Sequence, residues 1–320
     1  ADVPNSVPCT TINKMCGSGM QSIIFAHDAI VSGHSSAVIA GGLENMTQAP
    51  YLLKKARSGY RLGSDTLYDH MMIDGLEDAY QPGQPMGYFA EQCVSHYGFT
   101  RSQQDEFAIE SLARAQQAQK NQLFMPEITP VTIKVKHQEM VVSEDEGPLT
   151  VNAEKIPRLR PVFIPDGTIT AANASSISDG AAALVIASDA FVEQHSLPAM
   201  ARIVAHHTHA HEPAWFPTAP VEAIKSVLSK ANWSAEEVDL FEINEAFAAV
   251  TLIAMKDLNL PHQKVNVHGG ACVLGHPLGA SGARIVVTLV HALQQKGLQK
   301  GVAALCIGGG EATALAIELM

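Results

Sequence analysis

A short strand–turn–helix–strand pattern occurs twice in this chain, once near each end, and any fold has to accommodate both copies. Toward the C-terminus, an apolar stretch at Val265–Val267 leads through a Gly-rich turn into helical spacing at Ile285, Leu289 and Ala292. That helix stops near Gly297, and a final strand, Val302–Ile307, runs into Gly308-Gly-Gly-Glu311. Near the N-terminus, Thr10–Asn13 reads as a strand, a Cys/Gly turn follows, a helix runs from Ser18 to about Ile30, and Ala37–Ala40 enters Gly41-Gly-Leu-Glu44. Ser18-Gly19 matches Ser281-Gly282, and Gly41-Gly42 matches Gly309-Gly310. The repeat predicts two similar layered α/β halves that build a site from corresponding strand-to-helix turns.

The copies are unequal. The second is preceded by a helix carrying Val221, Ile224 and Leu228, a capping box at Ser234–Glu237, a buried strand around Val238–Ile243 and a helix over Glu245–Met255. The first has no such material before its turn, so the N-terminal half reads as incomplete. Between the halves, Thr47 to about Phe163 has different habits: Thr100–Gln103 caps a helix with Ala108, Leu112 and Ala115 on one face, and Val131–Val142 is strand material. The acidic run Ser143–Glu146 reads as a solvated loop. The expected division is residues 1–46 for the remainder of the N-terminal half, 47–165 for an inserted lid, 166–195 for a return segment, and 196–320 for the C-terminal half.

Composition narrows the function classes. With 320 residues, 47% of them hydrophobic, the chain can bury a large core, and its net charge of −11 opposes general binding to nucleic acid. Five cysteines in so long a chain do not make a disulfide framework and fit a reducing compartment. The uncharged stretch Val265–Ala283 is interrupted by Gly, Pro and His and does not read as a membrane span. The chain opens Ala-Asp-Val-Pro-Asn without an initiator Met, so a start further upstream is expected; the cytoplasm is the expected location and a mitochondrial one is compatible.

Four places can carry chemistry. In Asn13-Lys-Met-Cys16-Gly-Ser-Gly-Met20, a cysteine between strand and helix is flanked by glycines that let backbone amides approach its sulfur, where the helix start favours thiolate. Gly269-Gly-Ala-Cys-Val-Leu-Gly-His276 continues as Pro-Leu-Gly-Ala-Ser-Gly282 and holds a histidine at the corresponding turn, able to accept the Cys16 proton. Cys306-Ile-Gly-Gly-Gly310 sets a second thiol beside amides able to face an oxyanion. Asn244-Glu-Ala-Phe247 lies near a helix start, where Asn also serves as a simple cap. The run His206–His211 lacks partner ligands at a familiar metal spacing, and Cys9, Cys93 and Cys272 read as packing residues. No Walker loop or dinucleotide fingerprint is present in a suitable context.

Together, the motifs at Cys16, Asn244, Gly275–Gly282 and Cys306 resemble those of the thiolases, particularly acetyl-CoA acetyltransferases. The likeness extends over nearly the whole chain, including Glu77-Asp-Ala-Tyr80, Met86-Gly87, Ala90-Glu91 and Thr168–Gly180. The resemblance implies that Cys16 is the nucleophile toward an acyl-CoA thioester, His276 its base, and Cys306 the base that removes an α-proton from a second acetyl-CoA. It further implies an enolate site made by His276 and a water on Asn244, and an oxyanion hole from the N–H groups of Cys16 and Gly308. Met86, Phe163, Ala171, Ser175, Phe216, Ala246 and Phe247 would line the pantetheine channel. Coenzyme A is then substrate and product; no cofactor or metal is implied, and a homodimer or homotetramer is expected.

Three departures from the family pattern stand out. Pro85 occupies a place where the family commonly has His, the stretch Gly147–Arg160 is shortened, leaving Lys155, Arg158 and Arg160 as candidates for the CoA phosphates, and family members carry further strand–helix material before the nucleophile. The main expectation is acetoacetyl-CoA formation. Alternatives are a broader-range 3-ketoacyl-CoA thiolase, a Cys/His/Asn hydrolase, and an inactive thiolase-like subunit.

Overall fold

The computed structural model describes residues 3–136 and 138–320; residue 137, inside the expected strand stretch Val131–Val142, lies outside the described residues. In chain order, a single 3-10 turn at Met15–Gly17 opens helix α1 (Ser18–Val31), followed by strand β1 (Ala37–Asn45). The segment after β1 contains the two-residue strands β2 (Tyr51–Leu52) and β3 (Tyr68–Asp69), helices α2 (Met86–Tyr97) and α3 (Arg101–Lys120), the hairpin β4 (Val131–Val135) and β5 (Gln138–Val142), and a helical turn α4 (Gly147–Thr150). The chain returns through β6 (Asp179–Ala187) and α5 (Asp189–His195). The remainder is β7 (Ala201–Ala210), α6 (Ala219–Ala231), β8 (Leu240–Ile243), α7 (Ala248–Asp257), α8 (Ala271–Leu274), α9 (Leu278–Lys296), β9 (Lys300–Ile307) and β10 (Glu311–Leu319).

These elements form layers. The antiparallel pair β1–β6 is one sheet; the other runs β7-β10-β9-β8, with β8 and β9 parallel and the other pairs antiparallel. Helices α1 and α9 pack on each other and lie between the two sheets, while α6 covers the far side of the second. The inner core contains Met20, Ile23 and Ile24 of α1, Ile285 and Leu289 of α9, and Leu305 and Leu315 of the second sheet. A further core, with Ile224, Val227, Phe241 and Ala314, fills the space beneath α6. Both faces of β9 and β10 are thus covered, which explains their nearly unbroken apolar sequence. The outer face of β1–β6 carries exposed Ile39, Leu43 and Val185.

The duplication is visible in the register. Strand β1 meets β6 at the closing pair Asn45↔Asp179, and β9 meets β10 at Ile307↔Glu311. Residues 46–178 therefore occupy the place that Gly308-Gly-Gly310 occupies in the second half. There, Gly309 and Gly310 take φ of +91° and +85°, a region that favours glycine. The expected match of Gly41-Gly42 to Gly309-Gly310 is consequently incorrect: the first pair lies inside β1, and the second forms a turn.

Local signals account for most helix limits. Thr100 accepts from Gln103 N and Gln103 returns the bond, so the expected capping box opens α3. The last turn of α9 is closed by Gly297 at φ +63°. Ser234–Glu237 also pairs, with Ser234 N donating to Glu237 Oε2 at 2.8 Å, but it closes a turn and no helix follows.

Other expectations need correction. Thr10–Asn13 is not a strand, for it joins no β-ladder. Val265–Val267 makes only isolated bridges because the Asn266 side chain bonds to both Ile243 N and Ile243 O, at 2.8 Å each, where a ladder would otherwise run. The helix expected from Glu245 starts at Ala248, since Phe247 bridges Ala174 and Ser175 N donates to Ala246 O. Val302–Ile307 is not the final strand: β10 follows, Ala-rich but buried between neighbours, a setting that overrides weak strand propensity.

Candidate active site

Cys16 owes its position to a compressed turn two residues before α1. Met15 has φ +48°, its N–H donates to Asn13 Oδ1 at 2.8 Å, and Ser18 Oγ donates to Met15 O at 2.7 Å while accepting from Lys14 N at 2.9 Å. A Cβ on Gly17 would fall 2.3 Å from Ile307 Cδ1, so a larger residue there would have to displace the Ile307 side chain at the end of β9. An ion pair between Lys14 Nζ and Glu311 Oε2 ties the turn to the first residue of β10. These contacts bring Cys16 to the strand end that carries Cys306 and Gly308.

His276 lies two residues before α9 in the same way. Its backbone N–H donates to Ser176 O at 3.2 Å, its Nδ1 is 2.5 Å from Ser281 Oγ, and its neighbour Gly275 takes φ +88°. Glu44, at the end of β1, accepts from Gly279 N at 3.0 Å and so occupies the positive end of α9. Asn244 follows β8, with Nδ2 3.4 and 3.5 Å from the two ring nitrogens of His276; its buried Oδ1 has no hydrogen-bond partner among the described residues. The adjacent Glu245 is a buried hub that accepts from Ser111 Oγ and Asn266 Nδ2 at 2.8 Å and from Cys272 N at 3.1 Å. Its role was not read from the motif, because its partners come from three distant segments.

Cys16, His276, Cys306 and Gly308 line a single cavity of about 410 Å³. Met86, Phe163, Ala171 and Ser175 line it too, as do Phe216, Ala246 and Phe247. The wall also includes residues not expected from sequence: Met46 from the end of β1, Met72, Gly75 and Leu76 from a π-helical turn, Leu278 from α9, and Pro85 at the start of α2. A glycine on a helix that meets an aromatic ring is the signal that finds one such contact: a Cβ at Gly87 would lie 2.3 Å from the Phe163 ring. Lys155, Arg158 and Arg160 are exposed and lie outside this wall.

The cavity governs the ionisation of these groups. Burial pushes the Cys16 thiol up to about 11, against the lowering effect of the Gly308 and Cys16 N–H groups, and Glu44 adds to the rise. Burial, then the Arg284 charge, depresses His276 to about 3. Cys306 is also pushed up, first by burial and then by the nearby Cys16. The resting site is thus thiol, thiol and neutral imidazole; burial outweighs the expected preference for thiolate at the helix start.

The segment after β1 is knit together internally by buried carboxylates. Glu91 of α2 accepts from Thr168 N and Ile169 N, both at 2.7 Å, and from Thr168 Oγ1 at 2.8 Å. Asp105 of α3 accepts from Asn173 Nδ2 at 2.9 Å and Arg101 Nε at 2.7 Å. Such bonds hold the stretch before β6, with Ala171 and Ser175, beside α2 and the Cys306 turn.

The remaining cysteines and histidines fall elsewhere. Cys93 and Cys272 are buried, whereas Cys9 is exposed and so not a packing residue; all five thiols are free. His206 on β7 places Nε2 2.9 Å from Asp28 Oδ1, which His27 Nδ1 approaches at 3.3 Å, joining α1 to β7. Burial lowers His206, His207 and His209. Among the described residues, no helix is long and apolar enough to cross a membrane.

Comparison with known proteins agrees with this geometry. A family model described as the thiolase N-terminal domain matches residues 1–190, and one described as the thiolase C-terminal domain matches residues 197–319. A probable acetyl-CoA acetyltransferase of Dictyostelium discoideum is 48% identical over 310 residues, covering 97% of this chain and 75% of that protein. The crystal structure of the Bacillus anthracis acetyl-CoA acetyltransferase superposes with a TM-score of 0.95 at 43% identity, over 99% of this chain and 80% of that one. Human mitochondrial 3-ketoacyl-CoA thiolase also gives a TM-score of 0.95, at 39% identity, over 100% of this chain and 81% of the other.

Proposed function

The chain belongs to the thiolase family of acyltransferases, and we propose that it catalyses the reversible condensation of two acetyl-CoA molecules to acetoacetyl-CoA and free CoA through an acyl-Cys16 intermediate. The observation that carries this reading is the convergence of Cys16, His276, Cys306 and Gly308 on one cavity, from turns in both halves.

His276, neutral at rest, takes the Cys16 proton as sulfur attacks the thioester carbonyl, and the departing CoA sulfur receives that proton. The Cys16 and Gly308 N–H groups, already directed at the Cys16 sulfur, are suited to stabilise the tetrahedral oxyanion. Cys306, a thiol at rest, then passes its proton to the freed His276, and the thiolate so formed removes the α-proton of a second acetyl-CoA. Acylation of Cys16 favours this step, because no thiolate can then form at Cys16 to oppose the charge developing on Cys306. The enolate oxygen is stabilised by His276 and by a water on Asn244, whose Oδ1 has bonding capacity to spare. Its carbon attacks the acetyl group, Cys16 is expelled, and Cys306 returns the abstracted proton to it and recovers its own from His276.

The segment between β1 and β6 serves as the CoA-binding lid, with Met86, Phe163, Ala171, Ser175, Phe216, Ala246 and Phe247 along the pantetheine arm. The apolar stretch of wall at Met46, Met72, Leu76 and Leu278 favours a second reading, a 3-ketoacyl-CoA thiolase that also takes longer acyl groups. A homodimer or homotetramer is the proposed assembly, CoA is substrate and product without a separate cofactor, and the free thiols fit the cytoplasm or another reducing compartment.

Incubation with acetyl-CoA followed by peptide mass spectrometry tests this reading. An acetyl group on Cys16 that free CoA removes is expected. Clearance by water alone indicates a hydrolase, and absence of the adduct indicates an inactive subunit. Comparing hexanoyl-CoA with acetyl-CoA as donors separates the two chain-length readings.

A further inference from the structure

His276 is a useful base only if the nitrogen facing the reacting sulfur carries a lone pair, so the choice of tautomer is part of the chemistry. Its Nδ1 lies 2.5 Å from Ser281 Oγ, and the same hydroxyl donates to Pro277 O at 3.0 Å. A hydroxyl has one proton, and a carbonyl oxygen can only accept. With that proton on Pro277 O, the hydroxyl oxygen has only lone pairs to offer Nδ1, which must then be the protonated ring nitrogen. A neutral imidazole has a single N–H, so Nε2 is left free to accept.

Among the described residues, no other hydrogen-bonding group near the ring makes this choice. Asn244 Nδ2 is almost equidistant from the two ring nitrogens, at 3.4 and 3.5 Å, and favours neither. Ser281 is 1% exposed and His276 4%, so the Nδ1–Oγ contact is shielded from bulk solvent. The backbone fixes the hydroxyl as well: Ser281 is in the first turns of α9, one turn after Pro277, and its N–H donates to the same carbonyl at 3.0 Å.

We propose that Ser281 is a positioning residue that holds His276 in the Nδ1–H tautomer, leaving Nε2 as the site that accepts the nucleophile's proton. The proposal rests on the reading of Cys16 and His276 given above. It assigns work to a serine otherwise explained as a small residue at a tight helix crossing.

Three forms of the full chain test it: wild type, Ser281→Ala and His276→Asn. The measurements are the single-turnover rate of Cys16 acylation by acetyl-CoA, the KM for acetyl-CoA, and ring-nitrogen chemical shifts in protein labelled with 15N at histidine. The His276 signals are identified by their absence from His276→Asn. The wild type is expected to show a protonated Nδ1. Ser281→Ala is expected to move protonation toward Nε2 and slow acylation about 10- to 100-fold, with KM changed by less than about 3-fold.

A wild-type Nε2–H tautomer overturns the proposal. So does a slower variant with an unchanged tautomer, which would make Ser281 a packing residue, or a changed tautomer with an unchanged rate. If His276→Asn abolishes acylation while Ser281→Ala does not alter it, the role of Ser281 fails and the base assignment stands. If His276→Asn acylates normally, both fail.

Discussion

Gly19 and Gly282 face one another where α1 crosses α9: a Cβ on Gly19 would lie 2.6 Å from Ala283 N, and one on Gly282 would lie 2.4 Å from Met20 N. Each glycine meets the backbone of the opposite helix, so neither clash can be relieved by rotating a side chain. Gly282→Ala should therefore lower stability by about 1–3 kcal/mol through overpacking. Equilibrium denaturation is the measurement, and an unchanged midpoint would show that the helices can separate without cost.

The same pair shows what could be read in advance. The Ser-Gly match between residues 18–19 and 281–282 marked the duplication, though not the helix crossing it proves to form, and the glycine-flanked positions of Cys16, His276 and Cys306 pointed to their shared cavity. The Gly-Gly match failed because two glycines within a strand and two in a turn look alike without their pairing partners. Strand β10 was missed for a related reason: alanine reports little about strand, and the burial that makes Ala312, Ala314 and Ala316 suitable there is tertiary. Glu245 and Asn266 were similarly silent. Their hydrogen bonds link residues far apart in sequence, and no local period records them.

Cys306→Ser should retain acylation of Cys16 and lose condensation, because the first step uses Cys16 and His276 whereas the second needs a base at position 306. A loss of about 100-fold or more in acetoacetyl-CoA formation is expected, with acetyl-Cys16 accumulating. Mass spectrometry of the adduct alongside the product assay distinguishes the steps; lost acylation with intact condensation would contradict the assignment.

The acylation rate should be nearly level between about pH 5 and 9, provided the protein remains folded. With His276 depressed to about 3 and Cys16 raised to about 11, neither group changes its protonation within that interval. Stopped-flow measurement of acylation tests this, and an inflection near pH 6.5 belonging to His276 would contradict it.

Stability should respond to pH through Glu242, buried on β8. Burial pushes it from 4.5 to about 8, despite the Arg284 charge acting in the opposite direction. The folded protein thus holds a proton that the unfolded chain releases near pH 4.5, so this residue lowers stability as pH rises from about 4.5 through 8. Glu127, raised to about 7 by burial, acts in the same direction. Glu242→Gln should flatten the decline and gain on the order of 1 kcal/mol at pH 8. Denaturation at pH 5, 6.5 and 8 measures the slope.

Gly87→Ala should impair substrate binding more than chemistry. Its Cβ would fall 2.3 Å from the Phe163 ring, which can yield only by moving within the channel wall. The KM for acetyl-CoA should rise about 10-fold, corresponding to roughly 1.4 kcal/mol of lost binding, with a smaller change in kcat. Equal losses in kcat and kcat/KM would instead place the effect on the reacting groups.

The closing pairs Asn45↔Asp179 and Ile307↔Glu311 have a wider consequence. Thr47 grips both oxygens of Asp179, through its N–H at 3.0 Å and its hydroxyl at 2.6 Å, as the chain leaves the ladder. What lies beyond this neck is an appendage on a finished hairpin. Its outer parts can be lengthened, trimmed or exchanged by natural or laboratory variation so long as Ser111, which bonds Glu245, and Ser176, whose carbonyl holds His276, stay in place, so selectivity can diverge without rebuilding reactivity.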